Sequence, residues 1–206
     1  MTNSIKKLTS LGQSLWYDNI QRRLLVNGEL KAMIERGDIR GVTSNPTIFQ
    51  NAIAKTNDYD AALIPLAWAG WDAEKIFWQL AVEDIQEACD LFRPLYDETN
   101  GGDGFVSIEV SPHLANDTEG TAKQAKELWM RVNRPNLMVK IPATKECIPA
   151  IRQSIAAGIN INITLIFALD RYAAVMDAYL GGLEDRIAAF PSLSGRGQGE
   201  GIQQIA

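Results

Sequence analysis

Lys140 is the residue whose type and setting first point to chemistry. It lies in Asn136-Leu-Met-Val-Lys-Ile-Pro-Ala-Thr144, a lone cation in a run that otherwise reads as a buried strand. A charged ammonium is costly to bury, so a lysine there is normally paired, neutral or functional. Desolvation favours the neutral amine, which attacks carbonyls and forms Schiff bases. Snorkelling from a strand end to solvent is the competing reading, and this segment alone leaves the two open. Four other short apolar runs also end in polar groups: Asp18; Thr43 and Asn45; Glu109; Asn162 and Thr164. One polar strand end is usually a turn or cap residue. Five in succession, with two carboxylates and a lysine, suit imine-based carbon–carbon chemistry. The amine captures a ketone and the cationic imine accepts electrons. Carboxylates move protons, and amides and hydroxyls hold the substrate's own hydroxyls.

The elements that must position these groups alternate in kind. Ser14–Asp18, Ile39–Asn45, Phe105–Val110, Leu137–Ile141 and Ile159–Phe167 read as strands. A helical pattern runs from Ile20 to Arg36, weakened at Gly28 and closed by Gly37 as a C-terminal glycine would close it. Pro46 suits the first turn of a helix. Two more helices are expected over 57–93, with Asp72 as an N-cap, a stripe of Ile76, Leu80, Ile85, Cys89 and Phe92, and Pro94 as the stop. Asn100–Gly104 reads as a turn. Asp117 opens a helix carrying Ala122, Ala125, Leu128, Trp129 and Val132, and Thr144–Ala157 forms another. Asp170 caps a last helix with Tyr172, Val175, Met176, Tyr179, Leu180, Leu183 and Ile187 on its apolar side. The alternation predicts an α/β fold with parallel strands and helices outside. Short, polar-tipped apolar strands suit the (β/α)8 TIM-barrel family, with about five βα units in this chain and chemistry at the C-terminal strand ends. A doubly wound sheet competes, but no GxGxxG or GxxxxGK[ST] follows any strand.

The bulk properties narrow the function further. A chain of 206 residues, 46% hydrophobic and 22% charged, can bury one good-sized core. Its net charge of −5 and the lack of a Lys/Arg-rich stripe argue against a nucleic-acid partner. His113 is the single histidine, so a His-based metal cluster is not expected. Cys89 and Cys147 read as buried or half-buried thiols rather than a disulfide framework. No apolar run approaches the ~18 residues of a membrane span, and Met-Thr-Asn-Ser-Ile-Lys-Lys has no signal-peptide core. A cytoplasmic location is the expectation.

The strand segments carry a resemblance. Gly12-Gln-Ser-Leu-Trp-Tyr-Asp-Asn19, Gly41-Val-Thr-Ser-Asn-Pro-Thr-Ile-Phe49, Val106-Ser-Ile-Glu-Val-Ser-Pro112, Asn136–Thr144 and Asn160-Ile-Asn-Ile-Thr-Leu-Ile-Phe167 are similar, in order, to the successive strand motifs of the transaldolases. The likeness covers about residues 5–189, and Thr-Ser-Asn-Pro and Val-Lys-Ile-Pro-Ala-Thr are its most diagnostic pieces. The helical insert at 57–93 resembles the longer bacterial type rather than the short fructose-6-phosphate-aldolase type. The resemblance implies that Lys140 forms the Schiff base with a ketose. Asp18 would take the proton from the hydroxyl beside the breaking bond. Glu109 would act through a water that Thr164 helps to hold. Asn45 and Asn162 would bind hydroxyls of the dihydroxyacetone unit, with Thr43 in support. It further implies sugar-phosphate substrates: transfer from sedoheptulose 7-phosphate to glyceraldehyde 3-phosphate in the non-oxidative pentose phosphate pathway. No metal or organic cofactor is implied.

The pattern breaks after residue 189. The family barrel has eight strands, and only five are found here. Residues 190–206 form an irregular tail with four glycines between 195 and 201, a linker-like composition. Nothing in it resembles a sixth strand, and Arg196 is not carried over as a phosphate ligand. A truncated or frame-shifted end is the expectation. The domain reading is therefore a partial barrel over 1–189 and a Gly-rich tail over 190–206. An open five-stranded sheet leaves two bare edges, so poor stability, self-association through those edges and weak or absent activity are expected. Two other functions stay in view: a related Schiff-base aldolase, and a non-catalytic half-barrel remnant.

Overall fold

A computed structural model of the chain describes residues 4–189. The tail reading over 190–206 lies outside the described residues. Five strands, β1 (Trp16–Asp18), β2 (Gly41–Thr43), β3 (Phe105–Glu109), β4 (Leu137–Pro142) and β5 (Ile161–Thr164), form one sheet in the order β1-β2-β3-β4-β5. Every neighbouring pair is parallel. Parallel neighbours require crossovers, and helices fill them. These are α2 (Arg22–Val26) and α3 (Glu29–Arg36), α4 (Pro46–Lys55), α5 (Asp60–Trp68) and α6 (Ala73–Glu98), α7 (Thr118–Val132) and α8 (Cys147–Ala156), with α1 (Ser4–Ser10) before the sheet and α9 (Leu169–Ala189) after it. Five successive βα units in unbroken order are the start of a (β/α) barrel wall rather than a doubly wound sheet, whose order reverses partway.

The sheet has two chemically different faces because side chains alternate along a strand. Val42, Val106, Ile108, Val139 and Ile141 point to the helices and are buried in the main core with Ile85, Cys89, Phe92 and Leu128. Both cysteines are buried free thiols. Asn136, just before β4, is also buried; its amide donates to the carbonyls of Cys89 and Gly104, both at 2.9 Å, and so seats β4 against α6 and β3. A second cluster of Ala52, Tyr59, Ile76 and Leu80 joins α4, α5 and α6. It is pinned by Asp84, which accepts from Arg22 Nε at 2.8 Å and from the Tyr59 hydroxyl at 2.7 Å. Burial holds the Asp84 carboxyl above the usual carboxylate range, the bonds from Tyr59 and Arg22 offsetting part of that effect. The same burial pushes the Tyr59 phenol up.

Most local signals hold. Gly37 ends α3 at φ 72°, Pro46 opens α4, and Asp72 and Asp117 cap α6 and α7 through their side chains. Five readings need correction. The helix expected over 20–36 is two helices, because Gly28 at φ 82° turns the chain left-handed between α2 and α3. Pro94 does not stop α6, which continues to Glu98. The stripe it was read to end is nevertheless buried, and an internal proline only removes one N–H and kinks locally when packing holds the helix on both sides. β5 pairs only over Ile161–Thr164, since Leu165 at φ 61° turns the chain out of the sheet. Asp170 lies inside the first turn of α9 rather than capping it. Of the stripe read as the apolar side of α9, Val175 and Leu183 pack while Tyr172, Met176, Tyr179, Leu180 and Ile187 are exposed; Ala178, Gly181 and Gly182 are buried beside them. Two glycines let α9 approach α8 so closely that a Cβ at Gly182 would meet the Arg152 carbonyl oxygen at 2.8 Å.

Candidate active site

The strand register gathers the candidate residues onto the face away from the helices. Asp18 is the Cα partner of Thr43, and Thr43 of Ser107. Glu109 is the partner of Lys140, and Lys140 of Asn162. Ser107 and Glu109 are two residues apart on β3, as are Asn162 and Thr164 on β5, so both rows share one face. All six named candidates on the strands therefore lie on the polar face, toward the C-terminal strand ends. Gly41 belongs to the same face lower down, where a Cβ would sit 2.6 Å from the Trp16 ring; only glycine lets that ring cross β2.

Lys140 does not snorkel. It is 8% exposed, and its Nζ donates to the Ser44 carbonyl at 2.9 Å. Glu109 Oε2 stands 3.5 Å from the same nitrogen, with its side chain partly open to solvent. A buried lysine with one strong acceptor and one loosely placed carboxylate is held in direction without a tight ion pair. Ser44 is fully buried, and its own hydroxyl donates to the Ser107 carbonyl at 2.8 Å. The Ser107 hydroxyl in turn donates to Thr43 Oγ1 at 3.1 Å. This chain of bonds fixes the β2 end against β3 and aims the Ser44 carbonyl at the lysine. Ser44 and Ser107 were missed as site residues from sequence. The period-2 rule could have found Ser107, two positions before Glu109, but nothing local marks a backbone carbonyl at Ser44 as the lysine's partner.

Asn45 serves two purposes. Its Oδ1 accepts from the Ile48 N–H at 2.9 Å and caps α4, leaving the amide N–H groups as donors. Asp18, Asn45 and Glu109 line one cavity of about 440 Å³ with Pro46, Thr47, Ile48 and Pro112. Asn162 and Thr164 share the face but not this cavity, and no side-chain hydrogen bond joins them to the lysine among the described residues. The Thr164 Oγ1 is buried without a hydrogen-bond partner. Thus the structure brings Lys140 and Glu109 into contact, groups Asp18, Asn45 and Glu109 around a cavity, and supports Thr43 through Ser107. It leaves Asn162 and Thr164 on β5, opposite Lys140 and Pro142 of β4. Among the described residues no group of three or more His, Cys, Asp or Glu side chains is arranged to hold a metal ion. In the same residues no helix is long and apolar enough to cross a membrane.

A parallel α/β sheet with a buried lysine beside a carboxylate at its strand ends defines the class of fold and site. Comparison with known proteins gives the family. Residues 15–195 match the model for the transaldolase/fructose-6-phosphate aldolase family. The chain is 47% identical over 194 residues to a transaldolase of Thermobifida fusca (strain YX), covering 94% of this chain and 53% of that protein. It is 46% identical to a transaldolase of Parafrankia sp. (strain EAN1pec), with the same shares covered. It is 44% identical over all 206 residues to a transaldolase of Trichodesmium erythraeum (strain IMS101), or 52% of that protein. The chain belongs to the transaldolase/fructose-6-phosphate aldolase family, and it spans about half the length of the curated relatives it matches.

Proposed function

We propose that Lys140 is the Schiff-base lysine of a transaldolase. In this reading the reaction moves a dihydroxyacetone unit from sedoheptulose 7-phosphate to glyceraldehyde 3-phosphate, a step of the non-oxidative pentose phosphate pathway. The single observation that carries the reading is the Lys140 amine, buried yet held by one carbonyl with a carboxylate 3.5 Å away. The neutral amine adds to the ketose carbonyl, and Glu109, through a water that Thr164 helps to hold, moves the protons by which the adduct loses water. Asp18 removes the proton from the hydroxyl beside the breaking bond. The bonding electrons pass to the iminium, which becomes an enamine, and erythrose 4-phosphate departs. The enamine then attacks the carbonyl of glyceraldehyde 3-phosphate, Asp18 returns the proton to the new hydroxyl, and hydrolysis of the imine releases fructose 6-phosphate. Asn45 and Asn162 hold hydroxyls of the three-carbon unit, and Thr43 supports the site.

Borohydride trapping tests the lysine. Incubation with fructose 6-phosphate and reduction is expected to add the ketose-derived mass to the peptide containing Lys140. Trapping that survives Lys140→Ala would overturn the assignment. Running the assay with and without an acceptor aldehyde separates transfer from cleavage by a related Schiff-base aldolase. A half-barrel without catalysis would give no trapping in either arm.

A further inference from the structure

Asp18 is the last residue of β1, and the ladder to β2 ends with it. Its direction is therefore set by residues 19–21 and by the start of α2. That helix is five residues long, and its N-cap, Gln21, makes no side-chain capping bond. A helix this short is marginal, and its first N–H groups need acceptors. Tyr59, 37 positions away, supplies one: the Arg22 N–H donates to the Tyr59 hydroxyl at 3.1 Å. The hydroxyl gives its own proton to Asp84 at 2.7 Å, which leaves a lone pair for Arg22. The Arg22 side chain closes the arrangement. Its guanidinium donates to Asp84 at 2.8 Å and Glu83 at 2.9 Å, and lies 4.8 Å from the centre of the Tyr59 ring.

The ring of the same tyrosine is fully buried and packs in one cluster with Ala52 of α4 and with Ile76 and Leu80 of α6. Helix α4 follows Asn45, and Asn45, Pro46, Thr47 and Ile48 line the cavity with Asp18. Tyr59 thus holds α4 through its ring and α2 through its hydroxyl. We propose that Tyr59 is a positioning residue for the reaction: it fixes the span across the cavity between Asp18 and Asn45, and with it the reach of the Asp18 carboxylate to the substrate hydroxyl. The proposal rests on the reading of Asp18 as the base.

Tyr59→Phe keeps the ring in its cluster and removes only the oxygen. The test reads the Lys140 adduct itself. With fructose 6-phosphate and no acceptor, borohydride first traps the six-carbon ketose on the lysine. Asp18 then takes the proton of the hydroxyl beside the breaking bond, and the bonding electrons pass to the iminium. Glyceraldehyde 3-phosphate leaves, and the three-carbon unit stays on Lys140 as an enamine. Water protonates it to an iminium that borohydride traps in its turn. Mass spectrometry of the Lys140 peptide distinguishes the two adducts.

In Tyr59→Phe the six-carbon adduct is expected at the parental rate, while its conversion to the three-carbon adduct slows at least roughly 10-fold. Amide exchange at Arg22 is expected to speed up in the same variant. Ile151→Val, in the main core on α8, lowers stability away from this junction and is expected to leave conversion unchanged. Asp18→Asn is expected to abolish conversion. Parental conversion in Tyr59→Phe while Asp18→Asn is blocked would overturn this proposal alone, and equal slowing in Ile151→Val would overturn it as well. Conversion that survives Asp18→Asn, or a parent that never yields the three-carbon adduct, would overturn the reading of Asp18 and the proposal with it.

Discussion

Lys140 and Glu109 stand 3.5 Å apart, close enough to exchange a proton through a water and too far for a tight bond. In the proposed mechanism Glu109→Gln therefore slows imine formation without removing the nucleophile. Trapping of fructose 6-phosphate is expected to fall roughly 100-fold in rate while remaining dependent on Lys140; stopped-time borohydride quenching measures it. Asn45 offers a cleaner separation of structure from recognition. Asn45→Ala deletes both the α4 cap and the amide donors, so it should cost about 1 kcal/mol in a urea titration and also weaken ketose binding. Asn45→Asp keeps the capping oxygen at a helix N-terminus, where negative charge is favourable. It is expected to retain stability and lose only binding. Equal stability losses in the two variants would show that Ile48 does not depend on the cap.

Among the elements, α2, α5 and α6 are held by one buried carboxylate. Asp84 is 1% exposed and joins Arg22 and Tyr59. Asp84→Ala leaves the Tyr59 phenol without its acceptor and Arg22 with only Glu83 as a carboxylate partner, at 2.9 Å, and is expected to cost about 2–3 kcal/mol by denaturant midpoint. The pH dependence separates this carboxyl from Asp90, which Arg134 holds below the usual range. Because the native Asp84 pKa is raised, the folded state keeps a proton that the unfolded chain has released above pH 3.8, so this group makes stability fall as pH rises through that window. The native Asp90 pKa is depressed, so its contribution is present above pH 3.8 and is lost as pH falls below it. Asp84→Asn and Asp90→Asn should therefore change the slope of stability against pH in opposite senses, the second by little because that pair is solvent-exposed.

At the scale of the molecule, the described residues make five βα units of one wall. The polar face that carries Lys140 has helices behind it, and among the described residues β1 and β5 each pair on one side only. Positioning and water exclusion weaken when a site is walled on one side, and small misplacements cost about 10²-fold in rate. Under the proposed function, the 206-residue chain is expected to transfer dihydroxyacetone at least roughly 100-fold more slowly than the Thermobifida fusca relative, in a coupled assay of fructose 6-phosphate formation. Ordinary turnover by the pure chain would show that the five units suffice.

Several things were legible in the residues alone. Alternating strands and helices, the caps at Asp72 and Asp117, the stop at Gly37 and the candidate residues at each strand end follow from local propensity and short spacing, which act within a turn or a pleat. What the tertiary structure decided is non-local. Whether Lys140 snorkelled or was held depended on a carbonyl 96 positions away at Ser44. Whether Pro94 stopped a helix depended on what packs around α6, and whether the α9 stripe was core depended on which neighbour stood beside it. Sequence spacing identifies an apolar face, but only the packed chain shows whether anything covers it. For this protein that is the difference between naming the lysine and knowing how much of its wall is in place.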